Sequence, residues 1–320
     1  MRLTFEQIKA VTFGAIRIEE REDGIHFSKI TKKQAEAFKA LSGSVYNCAC
    51  TTTGVRLDFH TNSKNLAFYA PKGNKFELYI NDVLCRQYDG EALREGGKPA
   101  TAELVSPCES DGDTVRVTLI LPSHSDGVLE YVELDDGATV APHSFDTKIL
   151  FIGDSITQGW NSKYDSFSYA WRVTRFFNAE SVIQGTGGAF FHETTFDEID
   201  FDPDTVIVAL GTNDFGRYQT FEEMLTHARA HLDLIAERYK GKKIFAISPI
   251  WRAHQEKPAG SFAELRRLII GEIEKRSIIH VDGLSLVPHS SEFMADESLH
   301  PNDLGFSLYA ENLIAKMLKH

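Results

Sequence analysis

The sequence predicts a two-part α/β protein, with a β-rich half ahead of a parallel-sheet half covered by helices on both faces. Three observations carry this. From Val11 to about Val140 short alternating runs are broken by turn residues, whereas beyond about Asp146 apolar strand-like runs alternate with amphipathic helical stretches. A length of 320 residues, 42% hydrophobic and 11% aromatic, also suits two cores better than one. The texture changes at Ala141–Asp146, which divides the chain into domains 1–145 and 146–320.

Within the first part, Val55–His60, Phe76–Ile80, Val115–Leu121 and Leu129–Leu134 read as strands, because β-branched and aromatic residues recur along them with a strand's period. Asn62–Asn65, Pro71–Asn74 and Asp111–Asp113 supply turn chemistry between runs, and only Lys32–Leu41 has helical periodicity. An all-β sandwich of jelly-roll type is expected. In the second part the expected strands are Lys148–Ile152, Ser181–Ile183, Thr205–Leu210, Lys243–Ile247 and Ile278–Val281. The expected helices are Phe167–Phe177, Phe221–Tyr239, Phe262–Arg276 and Leu304–Leu318. Strands interleaved with helices in this way form a flavodoxin-like three-layer domain. Neither part contains an internal repeat or a low-complexity segment.

A formal net charge of -12 repels phosphate backbones and anionic membrane surfaces, so nucleic acid and membrane are not expected partners. The amino-terminal stretch Met1–Ala10 lacks the apolar run of a secretory leader, and cytoplasmic residence is the expectation. Cys48, Cys50, Cys85 and Cys108 all lie in the first part. The one-residue gap between Cys48 and Cys50 puts both on one face of a strand and fits neither a redox pair nor a zinc site, so reduced, mostly buried thiols are expected.

Four polar segments in the second part follow apolar runs: Gly153-Asp154-Ser155, Gly187-Gly188, Gly211-Thr212-Asn213-Asp214, and Leu299-His300-Pro301-Asn302-Asp303. Strand carboxyl ends are where open α/β sheets gather ligands, and Ser155 stands at one of them. A Ser hydroxyl becomes a competent nucleophile when an imidazole takes its proton, which His300 offers ahead of a helix that Asn302 or Asp303 caps. The carbonyl it attacks needs fixed donors for its developing charge. Gly188 lets a main-chain N–H approach without a Cβ in the way, and Asn213 offers a carboxamide. Together these parts spell acyl transfer. A metal-dependent phosphohydrolase on Asp154, Asp214 and Asp303 would need a His and carboxylate cluster that these motifs do not supply.

GDSIT at 153–157, Gly188, GTND at 211–214 and HPND at 300–303 resemble the four blocks of the SGNH (GDSL) hydrolase superfamily, over residues 146–320. By position the resemblance implies Ser155 as nucleophile, His300 as base, and the Ser155 and Gly188 N–H groups with Asn213 as the oxyanion hole. It implies no metal and no cofactor. The superfamily usually carries Asp three residues before its His, where this chain has Glu297; Asp296 lies one residue further back. Glu297 keeps the spacing, Asp296 requires an altered turn, and a main-chain carbonyl is the third option. Glu297 is the expectation.

A β-sandwich ahead of such a domain is similar to the carbohydrate esterases of family 2, which implies deacetylation of O-acetylated sugars. Trp160 and Trp251 follow two of the expected strands and are candidates to stack on a sugar ring. The expected partner is a small-molecule or oligosaccharide ester. A lipid, thioester or general short-chain esterase is the alternative, and a non-catalytic carbohydrate-binding protein is the alternative of another class.

Overall fold

The computed structural model describes residues 1–106 and 113–320. Cys108, together with Asp111 and Gly112 of one expected turn, lies outside the described residues. The chain forms two compact units, one of Met1–Ile30 with Cys50–Phe145 and one of Thr31–Ala49 with Asp146–His320. Residues 31–49, placed with the β-rich half on sequence texture, thus pack in the second unit.

The first unit is built from antiparallel pairs. One sheet runs Thr12–Phe13, Arg56–Thr61, Val115–Ile120, Lys75–Ile80, Val83–Asp89, and two three-stranded sheets accompany it. The run read as one strand over 129–134 is two. Val128–Leu129 pairs with Gly24–Ser28 while Tyr131–Leu134 pairs with Asn65–Tyr69, because the chain changes sheets at Glu130. The core gathers Phe59, Phe68, Phe76, Leu78 and Leu119, each at most 1% exposed. Two helices, Phe5–Ala10 and Gly90–Gly96, correct the all-β expectation. The first starts at Thr4 with a capping box to Gln7, and Asp89 caps the second.

The second unit contains a five-stranded sheet in the order Ala179–Gly185, Thr147–Gly153, Thr205–Ala209, Lys243–Ile247, Ile279–Val281. Every pairing is parallel. The first two strands in sequence step one way and the next three step the other, so the strand order reverses at Thr147–Gly153. Right-handed crossovers then put the connecting helices on opposite faces. Tyr169–Phe176 packs with Asp303–Met317, and Phe221–Arg238 packs with Phe262–Ile273. Both-sided cover explains why Val206, Ile207 and Val208 in sequence are all buried. Among the described residues no helix is long and apolar enough to cross a membrane.

The helix expected at Lys32–Leu41 forms with those ends, capped by Thr31 with a capping box to Gln34. A second helix, Gly43–Ala49, follows it and contains Cys48, so the strand geometry considered for Cys48 and Cys50 does not apply. The expectation of mostly buried thiols is corrected as well. Cys48 and Cys50 are half-buried and Cys85 is exposed.

Candidate active site

Ser155 is the first residue of the short helix Ser155–Gln158, directly beyond the central strand Thr147–Gly153. Asp154 caps that helix, its Oδ1 accepting the Ile156 N–H at 2.9 Å. Gly153 has no room for a side chain, since a Cβ there would sit 2.0 Å from Thr157 Oγ1. The strand therefore turns into the helix within two residues, and Ser155, 6% exposed, is fixed at the sheet edge.

His300 comes from a loop pinned at both ends. Ala295 N–H donates to His300 O at 2.8 Å, and Asn302 N–H donates to Phe293 O at 3.0 Å. Asn302, not Asp303, then caps Asp303–Met317 by accepting from Gly305 N–H at 3.0 Å. This loop brings His300 Nε2 to 2.9 Å from Ser155 Oγ across 145 residues of sequence.

The carboxylate on the far side of the ring belongs to Asp296, whose Oδ2 is 2.6 Å from His300 Nδ1. That corrects the expectation of Glu297. The altered turn is present: Glu297 takes a left-handed φ of 60°, which absorbs the additional residue between acid and base. Asp296 Oδ1 also accepts N–H bonds from Ser298, Leu299 and His300 at 3.1, 2.8 and 3.1 Å. Partial burial pushes the Asp296 carboxyl up, but the His300 ring and these three N–H groups prevail and hold it well below the usual carboxylate range. It stays charged beside the imidazole.

The two oxyanion candidates converge on one loop. Gly188 has φ 78°, and the turn closes with Ala189 N–H donating to Thr186 O at 3.0 Å. Gln158, from the same short helix as Ser155, accepts the Gly187 N–H at 2.7 Å. Asn213 Nδ2 donates to Ala189 O at 2.8 Å, which fixes the carboxamide beside this turn and leaves its second N–H geometry defined. Asp214 accepts the Phe191 N–H at 3.1 Å. From the helix Gly43–Ala49, Val45 and Cys48 press on the glycines. A Cβ at Gly188 would stand 3.2 Å from Val45 Cγ2, and one at Gly187 would stand 2.9 Å from Cys48 Sγ.

Sequence reasoning missed four supports: Gln158, Asp214 as the clamp on Phe191, the Val45–Cys48 face, and Arg252, which donates to Thr212 O at 2.9 Å. Only Gln158 had a local signal, standing directly after the GDSIT stretch. Burial without a cation pushes Asp154 up to about 7 and Asp214 up to about 8, so neither is a strong anion here. Of the proposed stacking residues, Trp160 is exposed, and its main-chain N–H donates to Ser155 O at 2.9 Å. Trp251 lines a cavity of about 770 Å³ with Phe262, Arg267, Glu274 and His289.

Residues 151–308 match the family model for GDSL-like lipases and acylhydrolases. The chain carries a GDSL-like acylhydrolase domain. By that assignment it is an ester hydrolase of the SGNH type. A search of curated protein sequences returns no match. Among solved structures, a salicylyl-acyltransferase, SsfX3, from a tetracycline biosynthetic pathway is similar at 18% identity and TM-score 0.80, covering 96% of this chain and 94% of that one. A family two carbohydrate esterase from Clostridium thermocellum, solved in complex with cellohexaose, is similar at 15% identity and TM-score 0.66, over 96% of this chain and 98% of that one. Its counterpart from Cellvibrio japonicus matches at 15% identity and TM-score 0.66, over 98% and 96%. At these identities the likeness is one of fold, and it spans both units of the chain.

Proposed function

We propose that the protein removes acyl groups, and acetyl groups from O-acetylated carbohydrates in particular, through a covalent intermediate on Ser155. One observation carries the reading: the Ser155–His300–Asp296 chain, with contacts of 2.9 and 2.6 Å. In this reading His300 Nε2 takes the Ser155 proton as Oγ attacks the ester carbonyl, and the charged Asp296 carboxylate keeps the other ring hydrogen on Nδ1. The Ser155 and Gly188 N–H groups and the Asn213 carboxamide receive the oxyanion. His300 returns the proton to the leaving alkoxide, and water then repeats the sequence on the acyl-enzyme.

The preference for carbohydrate rests on fold likeness to the family two esterases, on the β-rich unit ahead of the acylhydrolase domain, which we read as a jelly-roll-like sandwich, and on Trp160 and Trp251 as stacking candidates. A second reading has a specific basis, since the structure similar at TM-score 0.80 is an acyltransferase. Here the same acyl-enzyme is resolved by an alcohol instead of water. Acetate release from a panel of acetylated mono- and oligosaccharides, run beside Ser155→Ala, tests both. Hydrolysis by the wild type and none by a folded Ser155→Ala protein is expected. A variant with undiminished turnover would falsify the mechanism, and product acylated on an added alcohol would replace hydrolysis by transfer.

A further inference from the structure

We propose that His192, Glu193 and His227 form a binding site for one divalent transition-metal ion of the Zn²⁺ class, separate from the Ser155 centre. One ligand atom from each of the three residues lies within 4.8 Å of the other two, and all three side chains are half-buried. Two imidazoles and a carboxylate are a donor set suited to borderline ions such as Zn²⁺, and less suited to the oxygen-preferring Ca²⁺ or Mg²⁺.

The distances lie on either side of those a tetrahedral ion requires. Ligands at about 2.0–2.2 Å from Zn²⁺ stand roughly 3.3 Å from one another. Here His227 Nδ1 is 2.8 Å from Glu193 Oε2, and His192 Nδ1 is 4.0 Å from the same oxygen. Opening the first pair and closing the second by less than about 1 Å each, with the two histidine nitrogens, within 4.8 Å of one another, also drawn together, makes room. The ring hydrogen now joining His227 to Glu193 would move to Nε2, a change of tautomer with no net proton lost. Thr194 Oγ1, 2.8 Å from His192 Nδ1, would turn aside, and the Thr194 main-chain N–H, 3.4 Å from the same nitrogen, would give up its bond as the ring tilts. The two rings stack at 4.3 Å with 20° between their planes, so one must tilt to share an ion.

Further contacts tie down the frame around the cluster. His231, one turn beyond His227 on the same helix, donates through Nδ1 to His192 O at 2.9 Å, and Tyr218 stacks on His227. Side-chain exposures of 17, 35 and 25% for His192, Glu193 and His227 give an ion a path from solvent and space for a water ligand. An ion held there clamps the segment after the oxyanion turn to the helix Phe221–Arg238.

The test is calorimetric titration of Zn²⁺ into full-length protein stripped with EDTA and desalted, with Co²⁺ absorption as the second readout. Binding of one equivalent, a visible band from Co²⁺ of low coordination number, and a Zn²⁺-dependent rise in Tm are expected. All three should vanish in His227→Asn and in Glu193→Gln and persist in His289→Asn, whose histidine lies elsewhere. Circular dichroism checks that each variant folds. Absence of binding by the wild type, or undiminished binding by both ligand variants, overturns the site.

Discussion

Replacing Asp296 by Asn isolates the charge that faces the His300 ring. The amide keeps an oxygen for the N–H groups of Ser298, Leu299 and His300, so the loop retains its bonds while the anion 2.6 Å from Nδ1 disappears. In the proposed mechanism the imidazole becomes a cation in the transition state. Opposite charges about 4 Å apart attract by about 1 kcal/mol in water and about 4 kcal/mol at an effective dielectric of 20. The Asp296 side chain is 33% exposed and the His300 side chain 18%, an environment between those limits. A loss of about 2–3 kcal/mol is expected, which is roughly a 30- to 150-fold fall in rate. Because the attraction grows only as the proton moves, kcat and kcat/KM should fall together. Glu297→Gln, at an exposed position, should stay within about 0.5 kcal/mol of wild type, roughly twofold. Initial rates with p-nitrophenyl acetate decide the matter. If Glu297→Gln loses as much as Asp296→Asn, or if Asp296→Asn keeps full activity, the assignment of the orienting acid is refuted.

Asn213→Ala should lower kcat by about 10²–10³ with little change in KM, as removal of one oxyanion donor does, and a KM effect alone would assign Asn213 to binding. Asp214→Asn tests the buried carboxyl by linkage. With its folded value pushed up to about 8, the group favours folding fully below its unfolded value near 4, and that contribution is lost as pH rises toward 8. Relative to wild type, the Asn variant should therefore gain stability from pH 5 to pH 8, on the order of 4 kcal/mol, read from urea unfolding at both pH values. A constant difference between the two proteins would show that Asp214 does not titrate in that range.

The parallel-sheet unit was legible because burial on both faces writes long apolar runs, and the expected strand Lys243–Ile247 matches the observed one residue for residue. The polar blocks were legible for a related reason. Chemistry sits at strand ends, so it interrupts those runs visibly. The carboxylate beside the His300 ring was misread because spacing counts residues and cannot see conformation. Only the left-handed backbone at Glu297 lets an acid four positions before the histidine reach it. The helix Phe5–Ala10 was passed over although Thr4 and Gln7 spell a capping box, since six residues contain too few turns to show periodicity. Texture also assigned 31–49 to the β-rich half by proximity in sequence, and texture holds no information on which core a short amphipathic helix will choose.

That last point bears on what the catalytic unit is. Gln34 and Gln184 exchange buried amide bonds of 3.2 and 3.1 Å, and Gln34 also donates to Thr195 O at 3.1 Å. Thr31 and Lys33 reach Asp197 at 2.6 and 3.0 Å, and Arg217, four residues past Asn213, donates to Leu41 O at 3.0 Å. The helix Gly43–Ala49 is thereby held where Val45 and Cys48 contact the Gly187–Gly188 turn. A left-handed glycine has no side chain of its own to hold it, so this packing adds to the hydrogen bonds at Gly187 and Ala189 that fix the turn. Residues 151–308 contain every block of the motif and none of this cover. The stretch recognisable as an acylhydrolase is consequently smaller than the structure that holds the Gly187–Gly188 turn, and the remainder is supplied by a helical hairpin more than a hundred residues upstream of Ser155.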